Sequence, residues 1–116
     1  MVILIYMKNQ LFLTFVLIGI IFISGCVGQT KVSTTEEKQG INACINLCKS
    51  ELQNGKDLSN GPCLSNEIIT NWVCDIAHSP RQSVDNQPEN QCSAFREGTA
   101  KHFVEVDTSC NFIKAI

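Results

Sequence analysis

The sequence predicts a small disulfide-rich α+β domain, with one N-terminal helix and a short antiparallel sheet, preceded by a hydrophobic signal helix. Three observations predict it. Six cysteines fall within residues 41–116, behind a segment of export type. Apolar residues between Ile41 and Leu52 recur at helical spacing. Short β-branched and aromatic runs, separated by turn residues, fill the remainder.

The chain of 116 residues suits one domain with additions. Nine basic against eleven acidic residues give a net charge of −2, and no basic cluster occurs, which excludes a nucleic-acid partner. The parts divide as 1–25, a signal segment; 26–40, a polar tether led by Cys26; and 41–116, the cysteine domain.

Residues 9–30 carry no charge, and residues 11–23 are apolar except for Thr14 and Gly19. Lys8 precedes this run and Ser24-Gly25 follow it, so the charged start, apolar core and small-residue exit of an export signal are all present. The pattern reads best from Met7, which makes Met7 the expected start of translation. The uncharged interval of 22 residues also meets the roughly 20 that a membrane span requires. An uncleaved span therefore stands as the alternative, although the strictly apolar core of 13 residues suits a signal better.

"ISGC" (Ile23, Ser24, Gly25, Cys26) at the end of a lysine-led apolar run resembles the lipobox of prokaryotic lipoproteins. The resemblance implies cleavage before Cys26 and a lipid on its sulfur. It also implies a chain held at the cell membrane and facing outside the cytoplasm. In an organism with two membranes, Val27 lacks the acidic residue that the family uses for inner-membrane retention. The membrane partner is thus engaged through Cys26 or through residues 11–23. Two acyl chains are needed for stable anchoring, each buried CH₂ contributing about 0.8 kcal/mol.

The stretch "VGQTKVSTTEEKQG" (27–40) has no apolar periodicity and reads as a flexible tether. Thr34 and Glu37 have capping-box spacing, but Gly40 weakens a helix there.

Beyond it, Ile41, Cys44, Ile45, Cys48 and Leu52 form one helical stripe, stopped by Asn54-Gly55. "NWVCDIA" (71–77) reads as a buried strand, and strands are expected at 93–97, 101–106 and 112–116. The even set Cys44, Cys48, Cys63, Cys74, Cys92 and Cys110 predicts three disulfides. At about 2–4 kcal/mol each, they rival a net stability of about 5–15 kcal/mol. The turn-rich "NGKDLSNGPC" (54–63) can return Cys63 to Cys48, and the strand at 71–77 can bring Cys74 onto Cys44. An antiparallel meander places Cys92 beside Cys110, so the expected pairs are 44–74, 48–63 and 92–110. Trp72, Phe95, Phe103 and Phe112 are the expected core.

The loop "HSPRQSVDNQPENQ" (78–91) is long and polar for so small a domain, and such loops are often functional. Arg81, Asp85 and Glu89 are its candidate partner-binding residues. Chemistry offers weaker alternatives. Cys44, Cys48, Cys74 and His78 make a Cys₃His set, but the x₃ spacing and an oxidising compartment favour bridges over zinc. No C-x-x-C is present for redox work. His78-Ser79 with Asp75, and His102 with Glu105 and Asp107, lie close in sequence but match no catalytic motif. The expectation is a binding or structural protein that is not an enzyme and carries no cofactor or metal. A membrane-tethered enzyme or Cys/His metal module is the alternative.

Overall fold

A computed structural model of the protein describes residues 34–116; the signal segment, Cys26 and the start of the tether lie outside the described residues. Helix α1 spans Thr34–Gln53. It therefore begins seven residues before Ile41, inside the stretch expected to be a tether. Glu36 and Glu37 occupy its first turn, where carboxylates favour the positive end of the helix dipole. Gly40, which weakens a helix in isolation, here lets it dock. It is buried, and a Cβ in its place would lie 3.3 Å from the Trp72 ring. The tertiary contact outweighs the propensity.

At the other end, Gly55 has φ +80°, Gly55 N–H donates to the Leu52 carbonyl and Lys56 N–H to that of Glu51, both at 3.0 Å. This is a Schellman stop, and Asn54-Gly55 makes it possible.

The sheet has four strands in the order β1-β2-β3-β4: Cys63–Ile69, Trp72–Ile76, His102–Val106 and Phe112–Ala115. β1 and β2 form an antiparallel hairpin closed by Thr70 and Asn71, the latter at φ 70°. β3 and β4 are also antiparallel. Between them, β2 and β3 pair in parallel, Trp72 opposite His102 through Ile76 opposite Val106. The sheet is therefore mixed, which corrects the antiparallel meander. The correction has a simple cause. Residues 93–97 do not form the expected strand; Ser93–Arg96 form a short helix, α2. Residues 77–101 as a whole become the crossover that a parallel pair requires.

α1 covers one face of the sheet, over Trp72, Cys74, Ile76, Val104 and Val106. It runs in the direction of β2, with Gly40 at Trp72 and Cys44 at Cys74. Four helical residues rise about 6 Å and two strand residues about 6.6 Å, so contacts at i+4 on α1 meet contacts at i+2 on β2. On the other face Val73, Cys92 and Ala100 make a smaller cluster with Cys63, Ala94 and Phe103, beneath the crossover. Of the aromatic residues expected in the core, Trp72 is buried, whereas Phe95 and Phe112 are 40% and 47% exposed.

The bridges are Cys44–Cys74, Cys48–Cys110 and Cys63–Cys92. The first agrees with the expected pairing; the other two correct it. One turn beyond Cys44, Cys48 reaches the end of β3, where Asp107 and the β3–β4 turn bring Cys110 to it. Cys63 lies on the crossover face and ties β1 to the start of α2 through Cys92. Thus two bridges clamp the helix to the sheet, and one clamps the crossover.

Non-reducing peptide mapping is expected to recover these three pairs. Replacing Cys48 and Cys110 by Ala, a bridge of sequence separation 62, should lower denaturant stability by about 4 kcal/mol. Replacing Cys63 and Cys92 should instead raise hydrogen exchange mainly in residues 78–96, leaving α1 amides protected.

Candidate functional site

The crossover is organised by a buried carboxylate. Asp85, 2% exposed, accepts the Gln82 N–H at 2.8 Å and the His78 N–H at 3.0 Å on Oδ2, and faces His78 Nδ1 at 2.8 Å through Oδ1. Burial alone would raise its pKa, but these backbone and imidazole partners outweigh it and hold the carboxyl below its usual value. Gly61 packs against the same group. Its φ is +66°, and a Cβ there would collide with Asp85 Oδ1 and lie 3.1 Å from the Ile76 carbonyl. Asp85 is therefore a structural hub rather than an exposed contact residue, which corrects its place among the partner-binding candidates.

Arg81 points back toward the sheet. Its Nη1 donates to Glu105 Oε1 at 2.8 Å, and its Nε donates to Asn86 Oδ1 at 2.8 Å. The Glu105 carboxylate holds the guanidinium pKa above its usual value. Glu89, in the 3₁₀ turn Pro88–Asn90, is exposed. The three candidates thus separate into an inward ion pair, a buried hub and a surface residue.

Beneath the crossover lies a cleft of about 410 Å³. Its floor is a row across three strands: Asp75 opposite Glu105, and Glu105 opposite Lys114. In-register partners share a face, and this face is the one away from α1. Phe103 and Phe95 form an apolar wall, edge to face with ring centroids 4.8 Å apart, and Arg96 at the end of α2 contributes a cation. Lys114 Nζ lies 3.8 Å from Glu105 Oε2 and 5.2 Å from the Phe103 ring centre.

The two carboxylates are not equivalent. Glu105 is neutralised by Arg81 and Lys114. Asp75 is 9% exposed, and its Oδ1 is buried without a hydrogen-bond partner. Burial, together with the negative charge of Glu105, pushes the Asp75 pKa up to about 7. Such a group weakens the fold when ionised. It stands in a strand otherwise built of apolar side chains, "WVCDI".

Sequence reasoning missed Asp75, Glu105, Arg96 and Lys114 as a group. A signal for Asp75 was present: one charge inside a run that reads as fully buried. Nothing local announces its partners, because they come from β3, β4 and α2. The other constellations do not assemble. Cys44, Cys48 and Cys74 are consumed by bridges, so the Cys₃His set with His78 is not available as thiolates. Among the described residues no three His, Cys, Asp or Glu side chains group to hold an ion. His78 turns to Asp85 while Asp75 faces the cleft, and His102 stacks on Trp72 at 4.6 Å, on the face opposite Glu105. No helix of the described residues is long and apolar enough to cross a membrane.

Comparison with protein-family models, curated proteins and solved structures returns no significant match to this chain.

The pH dependence follows from Asp75. Its carboxyl is raised from 3.8 to about 7 in the folded chain, so the folded state holds a proton that the unfolded state has released. Its contribution therefore falls as pH rises from about 4 to about 7, by on the order of 3 kcal/mol. Asp85 and Asp107, whose pKa values are lowered, act in the opposite sense in acid. Asp75→Asn should match the native chain near pH 4 and exceed its stability at pH 8 by about 1–3 kcal/mol in urea titrations. Gly61→Ala should cost more than about 1 kcal/mol at any pH, because it strains the backbone and displaces the Asp85 hub.

Proposed function

We propose that this chain is a lipid-anchored extracytoplasmic binding protein whose ligand surface is the cleft beneath the crossover. The observation that carries this reading is the division of its cysteines. The three bridges use six, and the seventh, Cys26, stands in "ISGC" at the end of the apolar segment. A domain stapled three times belongs where thiols oxidise, and a lone cysteine in that context is where a lipid attaches.

Binding, rather than a purely structural role, is supported by the floor of the cleft. Asp75 Oδ1 lacks a hydrogen-bond partner and the group opposes stability at neutral pH, so packing gives no reason for a carboxylate there. The outer side of the crossover, with Glu89, is exposed, and the cleft is favoured over it because it is concave and holds Asp75. A tethered enzyme is the second reading. It is favoured by the protonatable Asp75 beside a second carboxyl group, Glu105, an arrangement used in general acid–base catalysis. Against it, both Glu105 oxygens are engaged by cations, which weakens that group as a base.

Anchoring is tested by intact mass of the protein extracted from membranes. The expected species begins at Cys26, carries acyl chains and lacks six protons at its other cysteines. Cys26→Ser should shift the protein from acylated to lipid-free. A native chain recovered from cytosol at full length with reduced thiols would overturn the reading, and an unacylated membrane species retaining residues 11–23 would replace the lipid anchor with a span.

A further inference from the structure

We infer that the cleft takes a small zwitterion of the α-amino-acid type bearing an apolar side chain, an inference that rests on the reading of the cleft as a ligand site. Three features of the cleft specify the three parts of such a ligand.

The first is the unpartnered acceptor. Asp75 lines the cleft and is buried to nine-tenths, and its Oδ1 has no hydrogen-bond partner. It calls for a donor. Its register neighbour Glu105 already has Arg81 at 2.8 Å and Lys114 at 3.8 Å, so Asp75 is the carboxylate that still lacks a cation. An ammonium group supplies both hydrogen bond and charge.

The second is an unmatched cation on the opposite wall. The Arg96 guanidinium spends one N–H on the Pro88 carbonyl at 3.0 Å, the one hydrogen bond of its side chain among the described residues. A guanidinium has five N–H donors in a planar fork, which suits a carboxylate. Arg96 belongs to α2 on the roof and Asp75 to β2 on the floor, so the two charges are presented from opposite sides of one cleft. The lining carries Arg81, Arg96 and Lys114 against Asp75 and Glu105. The three cations exceed the two carboxylates by one; a zwitterion's carboxylate meets that excess while its ammonium meets Asp75.

The third is apolar. Phe103 and the half-exposed Phe95 meet edge to face in the same lining and leave part of an aromatic surface uncovered. A volume of about 410 Å³ accommodates one amino acid and lies within the range of small-ligand pockets. Ammonium binding displaces the Asp75 proton, so affinity should rise with pH through about 7.

The test uses the full lipidated protein in detergent, titrated at pH 8 with L-phenylalanine, 3-phenylpropionate (no ammonium) and 2-phenylethylamine (no carboxylate). Calorimetry should give phenylalanine an affinity at least about tenfold above either other probe. Asp75→Asn should make phenylalanine and phenylpropionate equal, and Arg96→Gln should make phenylalanine and phenylethylamine equal. Should a variant fail to form its bridges, the three probes on the native chain decide alone. Equal binding of phenylalanine and either single-charge probe to the native chain overturns the zwitterion while leaving the cleft a ligand site. No binding by any of the three overturns the inference, and a loss of stability in Asp75→Asn at pH 8 overturns the ligand-site reading beneath it as well.

Discussion

Two strands that run in the same direction cannot be joined by a tight turn; the chain must travel back along the sheet before the second can begin. In this protein β2 and β3 run in the same direction, and residues 77–101 make that journey. Nearly everything of functional interest follows from it. The crossover passes over the face that α1 leaves open, places α2 and Arg81 above the sheet, and encloses a cleft whose floor is drawn from three strands. An antiparallel meander of the same strands would leave this face flat and wet.

A crossover without a full helix is a weak roof, and the molecule compensates locally. Asp85 gathers two backbone N–H groups and the His78 ring into one turn, Gly61 gives it room, and Cys63–Cys92 fixes the far end to β1. The other two bridges act on the opposite face, where α1 runs in step with β2 and cysteines on two successive helical turns meet the sheet and its final turn. A domain with few large core residues depends on such staples because its apolar burial scarcely exceeds the entropy of ordering the chain. The division of labour is spatial: two bridges hold the core, and one holds the roof of the cleft.

Against that background Asp75 stands out. The fold invests in bridges for stability and yet retains a buried carboxyl that weakens it at neutral pH. Glu105 beside it is compensated by cations, whereas Asp75 is not. Stability sacrificed at one concave point is the usual mark of a site shaped for something other than folding. The proposed anchor at Cys26 and the proposed ligand cleft are compatible, since the two are separate in sequence.

The balance between sequence and structure can be read from particular residues. Ile41, Cys44, Ile45 and Cys48 announce a helix because their spacing is set by local geometry, and Asn54-Gly55 announces its end for the same reason. "NWVCDIA" announces a buried strand, and its single carboxylate was the visible trace of the cleft. The even cysteine count in the domain announces bridges. By contrast, the helical start at Thr34 depends on Gly40 meeting Trp72, a contact made across 32 residues. The pairs Cys48–Cys110 and Cys63–Cys92, the parallel register of Asp75 with Glu105, and the placement of Arg96 in the same cleft are likewise long-range. Periodicity, turn chemistry and composition are properties of neighbours along the chain, so the sequence determined by itself the middle of α1 and its stop, the buried strand β2 and the need for staples. Strand direction is decided by which edges pair once the chain has folded back, and so only the tertiary structure decided the cleft.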